Sequence, residues 1–333
     1  MTKKEKTHLM IQNSIYSQNV VVVPESVTDK KTEISVTNND YYYGANPSLA
    51  DVNEARLMFT ALSEEATRKY LSDGEWIQMY DSHGELIAEA SSVIYENRNA
   101  TKSEIDTVEK IVGSLKNKKV LDLCCGMGRH TLEMAARGAE VDGIDHSKSW
   151  IQKAREKAGG EKVKFHKGDA RHLRINRLNG SSYDCVTILG NSLGYFKDDE
   201  NLKIIKGAKR LLKPGGKIIV QLPNKEHALN TLSPKLSKEV VSKHFGNINY
   251  LRYRRYNQKT KRLETIRIHT TNEGSVIMNQ PLSYRLYETN EITKIGSSAG
   301  FLKANRFITS ENVIRDKEIA GSLLSTDWYV FEK

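Results

Sequence analysis

Two glycines at a predicted strand-to-helix turn carry the first sign of chemistry in this chain. The turn lies within Val120–His130, where an apolar segment runs into Gly126 and Gly128, spaced Gly-x-Gly. Glycine at such a turn lets a ligand approach the backbone closely. The helix that follows offers unpaired N–H groups to a ligand. The spacing therefore favours a nucleotide-like site, although Gly-x-Gly alone also occurs in ordinary turns.

Acidic residues follow the next two predicted strands. Asp145 comes 23 residues after Asp122, at the tip of the second strand, where a carboxylate can accept bonds from two ribose hydroxyls. Asp145 can also cap the next helix, but Ser147 is the better cap. Asp169 follows the third strand, where it can accept a bond from an adenine amino group or serve as a turn residue after Gly168. The order and spacing of these residues indicate a bound nucleoside.

The elements around these residues alternate between strand and helix. Apolar segments predict strands at Lys119–Cys124, Glu140–Ile144, Val163–His166, Tyr183–Leu189 and Lys217–Leu222. Helical periodicity predicts helices at 101–116, His130–Arg137, 147–160 and Leu202–Leu212. Thr101 and Glu104 form a capping box at the start of the first helix. Nearly continuous apolar strands separated by helices predict a parallel sheet that is covered on both faces.

The pattern changes on both sides of this sheet. Residues 225–286 form an insertion whose first part, 225–267, is rich in lysine and arginine. Antiparallel strands are predicted at Asn249–Tyr256, Arg262–Thr270 and Ser275–Tyr287. A helix capped by Thr289 and a closing antiparallel pair, Phe301–Thr309 and Asp327–Phe331, are predicted after this insertion. Before the sheet, the sequence predicts an arm or hairpin over 1–45 and a helical cap over 46–104.

Composition narrows the class of protein. The 333 residues are 28% charged and 38% hydrophobic, which is typical of a soluble globular chain of roughly two domains. The 51 basic and 41 acidic residues give a formal charge of +10, a mild excess that favours anionic ligands or nucleic acid. Three cysteines cannot form a disulfide framework and favour a cytoplasmic protein. The chain has no C-x-x-C pair for a structural zinc, and no apolar run of the ~20 residues that span a bilayer.

The ordered motifs resemble those of the class I S-adenosylmethionine-dependent methyltransferases. Asp122, Gly126 and Gly128 match the first motif, whose third glycine is replaced here by His130, and Asp145 matches the ribose-binding acid. Asp169 matches the adenine-binding acid, with the backbone of Ala170 beside it. The element before the fifth strand is matched by Leu211–Gly216. The resemblance is close over 105–224 and looser over 287–333. The run from Cys124 to His130 is similar to a CCGxGRH motif of bacterial small-molecule methyltransferases.

This resemblance implies an α/β fold: a Rossmann-like sheet with an N-terminal helical region and an antiparallel β insertion after the fifth strand. Residues 105–224 and 287–333 would form the cofactor domain, and residues 225–286 the substrate lid. The implied cofactor is S-adenosylmethionine, and no metal is expected. The implied cofactor-binding residues are Tyr80, Asp122, Cys124, Gly126, Gly128, Arg129, Asp145, His146, Asp169, Ala170 and Leu189.

The implied reaction is direct in-line methyl transfer to a nitrogen or oxygen of a small molecule, in specialised metabolism. A sulfonium methyl is already activated, so the protein mainly aligns the acceptor. A general base is needed where the acceptor is a hydroxyl or an ammonium group. Asn191, Tyr195 and His227 are the catalytic candidates, although Tyr195 also suits core packing and His227 a solvated surface.

Two other functions stay open at this point. Tyrosines alternate with arginines in Asn249–Tyr256 and can stack bases and hold phosphates, as in an RNA methyltransferase. Against RNA, the fourth strand lacks an Asn/Asp-Pro-Pro-Tyr motif and the chain shows no Pro-Cys nucleophile. An enzyme of the same fold can also cyclise or transfer another part of the cofactor. The expected partner is a small-molecule acceptor and not a membrane, and a homodimer is left open.

Overall fold

The computed structural model describes residues 84, 87, 98–159, 163–173, 182–230, 232, 238–245, 248–271, 276–307 and 326–333. Within these ranges, side chains are described except at 238–253, 255 and 266–281. The predicted arm over 1–45, most of the predicted helical cap over 46–104, and Tyr80 lie outside the described residues. Those predictions stay as they were made from the sequence.

The described chain contains helices and strands in the predicted alternation. The helices are α1 Arg98–Val112, α2 Arg129–Ala136, α3 Lys148–Lys157, α4 Asp198–Leu211, α5 Lys225–Asn230 and α6 Thr289–Ser298. The first five strands are β1 Lys119–Leu123, β2 Glu140–Asp145, β3 Val163–Lys167, β4 Tyr183–Ile188 and β5 Leu212–Pro223. The later strands are β6 Lys238–Phe245, β7 Ile248–Asn257, β8 Arg262–Thr271, β9 Val276–Arg285, β10 Lys303–Phe307 and β11 Thr326–Glu332.

Seven strands form one sheet in the order β10-β11-β5-β4-β1-β2-β3. The strands β5, β4, β1, β2 and β3 run parallel, while β11 pairs antiparallel with both β5 and β10. Chain order reverses between β1 and β4, because β2 and β3 lie on one side of β1 and β4 and β5 on the other. In open α/β sheets this reversal opens a crevice at the carboxyl ends of the strands. The predicted parallel sheet is confirmed.

Both faces of this sheet are buried, because neighbouring side chains along each strand point to opposite faces. On β5, Ile218, Val220 and Leu222 pack in one apolar cluster with α4 and α6. Ile219 points the other way and packs in a second cluster with α1 and α2. Each fully buried aliphatic side chain contributes about 1.5–3 kcal/mol of transfer free energy. This explains why these strands are apolar at successive positions.

Three predicted boundaries differ from the structure. β5 begins at Leu212 and runs through the predicted Pro-Gly-Gly stop, because Leu212 pairs with Tyr183 of β4. α6 is capped by Glu288, whose side chain and that of Glu291 form the capping box, and not by Thr289. The predicted capping box of Thr101 and Glu104 lies inside α1, which already includes Arg98.

The chain divides into two compact units. One consists of Tyr80–Lys225 and Arg285–Lys333 and holds the seven-stranded sheet; the described part of the other lies within Glu226–Tyr284. The second unit contains a four-stranded sheet in the order β6-β7-β8-β9, with antiparallel pairing of β6 with β7 and of β7 with β8. The predicted antiparallel strands of the insertion are therefore present. None of the described helices has the length and apolar character needed to cross a membrane.

Candidate functional site

The loop between β1 and α2 requires glycine at the predicted positions. Gly126 and Gly128 have φ values of 57° and 80°, in the left-handed region. A Cβ on Gly128 would lie 2.6 Å from Cζ of Phe165, so no larger residue fits without displacing that ring. Cys124 also has a positive φ, of 61°, which is uncommon for a residue with a side chain. The backbone thus turns sharply at the carboxyl end of β1.

Asp145, at the end of β2, is bonded to this loop. Its Oδ2 accepts the Gly126 N–H at 2.9 Å and its Oδ1 accepts the Ser147 N–H at 2.9 Å. Each carboxylate oxygen can accept a second bond, so the pair can still receive two ribose hydroxyls. Burial raises the pKa of Asp145, although the two backbone N–H groups act against that rise. His146, the next residue, is half-buried beside it.

Asp122 is bonded within the protein by two side chains, and its cofactor contact stays a prediction. Its Oδ2 accepts the Thr131 hydroxyl at 2.6 Å and its Oδ1 accepts the Thr187 hydroxyl at 2.9 Å. Only 1% of Asp122 is exposed, so it offers almost no surface to a ligand. Burial raises the pKa of this carboxyl group. Asp122 ties β1 to α2 and β4, and so fixes the two strands that border the crevice.

Asp169 is held by a neighbouring arginine. Its Oδ1 accepts the Arg171 main-chain N–H at 2.8 Å, and its Oδ2 accepts Nη2 of the same residue at 2.8 Å. Burial opposes ionisation of Asp169, but the Arg171 bonds lower its pKa below the usual value. Arg171 also pairs with Glu200 at 2.8 Å and lies 4.3 Å above the Phe196 ring. An adenine amino group would have to share the Asp169 carboxylate with Arg171. Ala170, the residue after Asp169, is buried.

The loop between β4 and α4 forms the other border of the crevice. Leu189 is buried, and Gly190 and Asn191 follow it with φ values of 66° and 63°. The buried Oδ1 of Asn191 accepts no hydrogen bond from any described residue. A buried amide oxygen without a donor costs about 1–3 kcal/mol. Tyr195, further along the loop, is half-buried.

The β4–α4 loop lies close to the start of α2, where the β1–α2 loop ends. A Cβ on Gly190 would lie 3.9 Å from Nη2 of Arg129 and 3.9 Å from Cε1 of His130. Gly190 is itself exposed, so the space between the loops is open to a ligand. We use "crevice" for the space bordered by Cys124–Gly128 of the β1–α2 loop and by Leu189–Tyr195 of the β4–α4 loop.

Arg129 enters the crevice as part of an ion pair. Its Nη1 donates to Oε2 of Glu104 and, at 3.0 Å, to Oγ1 of Thr101, while Nε2 of His130 lies 2.8 Å from the same Glu104 oxygen. Burial works against ionisation of Glu104, but His130 and Arg129 hold its pKa well below the usual range. The predicted contact of Arg129 with the cofactor would therefore take place beside an existing carboxylate.

The sequence interpretation missed Glu104, Gln221 and Arg171 as residues near the site. The sequence predicts Glu104 as a helix-capping residue. The signal for its role near the site is an acidic residue on the helix that precedes the one beginning with Arg129 and His130. Gln221 carried a visible signal, since it is the polar residue in the otherwise apolar segment Ile218–Pro223 of β5, and only 3% of it is exposed. Arg171 carried no signal beyond its charge.

Two further candidates differ in their place: Cys124 borders the crevice, and His227 lies in the other unit. Cys124 is half-buried, and burial together with nearby carboxylates raises its pKa, so its thiol stays protonated at neutral pH. His227 is half-buried on α5, in the unit that contains the insertion. Among the residues that the structure describes, no cluster of histidine, cysteine and acidic side chains could hold a metal ion.

Comparison with known proteins matches the residues that build this crevice. Residues 120–216 match a family model described as a methyltransferase domain. Demethylmenaquinone methyltransferase of Staphylococcus aureus strain MRSA252 is 38% identical over 116 residues, which are 34% of this chain and 46% of that protein. The chain therefore spans about half the length of the curated relatives it matches.

Two solved structures share the fold over most of the chain. The CcbJ methyltransferase from Streptomyces caelestis superposes with a TM-score of 0.56 at 22% identity, covering 69% of this chain and 88% of that one. The second is CalS10 bound to S-adenosylmethionine, an amino pentose methyltransferase of calicheamicin biosynthesis from Micromonospora echinaspora. It superposes with a TM-score of 0.53 at 18% identity, covering 74% of this chain and 96% of that one. The sheet unit has the Rossmann-like class I methyltransferase fold, and S-adenosylmethionine is the cofactor of this domain family.

Proposed function

We propose, from a methyltransferase domain over residues 120–216, that this chain transfers the methyl group of S-adenosylmethionine to a nitrogen or oxygen of a small molecule in specialised metabolism. One observation carries the proposal. The oxygen Oδ1 of Asn191 is buried at the crevice and accepts no hydrogen bond from the described residues, and the backbone of Asn191 has a left-handed conformation. Backbone strain and a buried, unsatisfied acceptor together indicate a ligand that supplies the missing N–H or O–H.

The residues around the crevice suit this cofactor. Asp145 retains lone pairs for ribose hydroxyls after accepting its two backbone bonds. Gly126 leaves the β1–α2 loop without a side chain where a Cβ would already lie 3.1 Å from Trp150. Asp169 is ionised and stands at the tip of the next strand, as an acceptor for an adenine amino group. Cys124, Gly128, Arg129, His146, Ala170 and Leu189 remain proposed contacts.

Methyl transfer from this cofactor mainly requires that the protein align the acceptor with the methyl group. S-adenosylmethionine, when bound, supplies a methyl group already activated by its sulfonium. Asn191 would accept an N–H or O–H of the acceptor, or of the cofactor's amino group, and so fix its orientation. Alignment of this kind accounts for much of the rate in a bimolecular transfer. Cys124 and Cys125 are poor candidates for a base or nucleophile, because burial raises the pKa of both thiols. Tyr195 and His227 remain the proposed groups for moving a proton.

The RNA alternative loses part of its support. Arg254 lies in the Arg/Tyr strand β7, yet only 2% of it is exposed. A buried guanidinium cannot track phosphates along a surface. Glu264, which pairs with Arg255 across β7 and β8, is also buried and accepts a bond from Asn257 at 3.0 Å. This part of the strand pair therefore suits an interior better than a nucleic-acid platform.

Product analysis tests the proposed reaction. Purified protein is incubated with S-adenosylmethionine and a panel of small amines, alcohols and phenols, with bulk tRNA as a further acceptor. We expect S-adenosylhomocysteine to appear together with one acceptor that gains the mass of a methyl group. Methylthioadenosine in its place would support a cyclising or arm-transferring enzyme. Methylated tRNA, with tRNA binding that persists at physiological salt, would support the RNA alternative.

A further inference from the structure

Gln221 joins strand β5 to the crevice. Its Oε1 accepts the Gly190 N–H at 2.8 Å, and its Nε2 donates to Oε1 of Glu104 at 3.1 Å and to Oγ1 of Thr326 at 3.2 Å. The side chain is buried, with three bonds to three different elements. The amide therefore determines where the β4–α4 loop turns away from the sheet, at the residue before Asn191.

Glu104 joins helix α1 to the opposite loop. Its Oε1 accepts from Gln221, and its Oε2 is shared by Arg129 and His130 at the start of α2. The carboxylate thus uses one oxygen toward each border of the crevice. A charged acceptor strengthens these bonds relative to neutral ones. A continuous chain of bonds runs from Arg129 through Glu104 and Gln221 to the Gly190 N–H.

We propose that Glu104 and Gln221 are positioning residues that hold the two loops of the crevice in register, so that Arg129 and Asn191 can bind the amino acid arm of the cofactor together. This inference rests on the proposed function. Neither residue needs to touch the ligand, because each acts through a residue of the loops. The ribose and adenine contacts belong to other residues, Asp145 and Asp169, which this chain of bonds does not include.

Two isosteric substitutions break the chain at different places. Glu104→Gln keeps an oxygen for Gln221 but removes the charge that pairs with Arg129 and His130. Gln221→Glu keeps an acceptor for the Gly190 N–H but replaces the N–H donor to Glu104 with a second carboxylate. Thr326→Val is the matched control, because it removes another bond of the same amide at 3.2 Å and leaves the Glu104–Gly190 connection intact.

The test compares two probes by calorimetry: S-adenosylhomocysteine, and methylthioadenosine, which lacks the amino acid arm. Glu104→Gln and Gln221→Glu should each weaken S-adenosylhomocysteine about tenfold, the size of one or two lost hydrogen bonds, and methylthioadenosine less than about twofold. Thr326→Val should change neither. Equal weakening of both probes, or no weakening of S-adenosylhomocysteine, would overturn the inference. If the unchanged protein binds neither probe, the proposed function itself fails.

Amide exchange on the unchanged protein provides a measurement that does not depend on the variants folding. S-adenosylhomocysteine should slow exchange in residues 189–196 and in α1 together, since the bonded chain connects them. Methylthioadenosine should protect these two segments much less. Equal protection by both probes would overturn the positioning role, even if the variants proved too unstable to measure.

Discussion

The Gly126 N–H donates a 2.9 Å hydrogen bond to Oδ2 of Asp145, so the predicted ribose-binding carboxylate also shapes the glycine loop. The same side chain thus serves two purposes, since a cofactor bound to Asp145 meets a backbone that Asp145 itself holds in place. Loss of this carboxylate should therefore affect both ligand contact and loop geometry.

Asp145→Ala should lower the affinity for S-adenosylhomocysteine by about 2–4 kcal/mol, because two charge-assisted hydrogen bonds are lost. Calorimetry measures this directly. Asp184→Ala is a suitable control, since Asp184 accepts the Lys119 N–H at 2.8 Å near the starts of β4 and β1, at the opposite end of these strands. Unchanged affinity in Asp145→Ala would reject the ribose assignment.

Gly128→Ala should destabilise the fold by clearly more than Gly113→Ala. The two glycines have nearly the same φ, 80° and 78°, so the strain of a left-handed alanine, about 1–2 kcal/mol, is common to both. A Cβ on Gly113 meets nothing within 4 Å, while one on Gly128 meets Phe165 at 2.6 Å. Overpacking of this kind adds about 1–3 kcal/mol. Urea unfolding of both variants gives the difference, and equal losses would contradict the prediction.

Asn191→Gly should raise the stability of the protein more than Asn117→Gly does. Asn191→Gly should also impair the function of the protein. Both asparagines have a φ of 63°, so relief of backbone strain is matched. Asn191→Gly also removes a buried oxygen without a described donor, whose burial costs about 1–3 kcal/mol.

Calorimetry and turnover then separate the two possible tasks of Asn191. Weaker binding of S-adenosylhomocysteine would assign it to the amino acid arm. Unchanged binding with lost turnover would assign it to the methyl acceptor. A variant that loses neither would show that Asn191 has no part in the site.

Tyr183→Phe should cost stability that depends on pH. The Tyr183 hydroxyl donates to Oδ2 of Asp142 at 2.7 Å, and His166 lies 2.7 Å from the other oxygen. Burial opposes ionisation of Asp142, but these bonds lower its pKa, so the carboxylate stabilises the fold above its unfolded pKa and less as pH falls. We expect a loss of about 1.5–3 kcal/mol at pH 7 that shrinks below about pH 4.

Urea unfolding at the two pH values measures this loss. In an Asp142→Asn background the cost of Tyr183→Phe should no longer depend on pH, because the titrating partner is gone. Persistence of the pH dependence in that background would mean that another group is responsible.

Much of the sheet unit could be predicted because its signals are local. Strand β1, the glycine loop and α2 follow one another within Lys119–Ala136, so apolar runs and glycine positions were enough to place them. The tip position of Asp145 followed from the length of the preceding strand. The boundary errors arose where local and distant forces compete: Pro214 predicts a stop, but pairing of Leu212 with Tyr183 extends β5.

The network behind the crevice was decided by the tertiary structure. Glu104 and Gln221 are 117 residues apart in the chain and become hydrogen-bonded only because α1 packs across the sheet that contains β5. In the sequence, Thr101 and Glu104 fit a helix cap, since capping depends only on spacing. In the fold these side chains lie inside α1 and bind Arg129, because a partly buried guanidinium requires an acceptor wherever the packing supplies one. The sequence by itself determined which residues could bind a cofactor, through spacing along the chain; the tertiary structure decided which of them hold the others in place, because burial and charge pairing depend on neighbours that are distant in sequence.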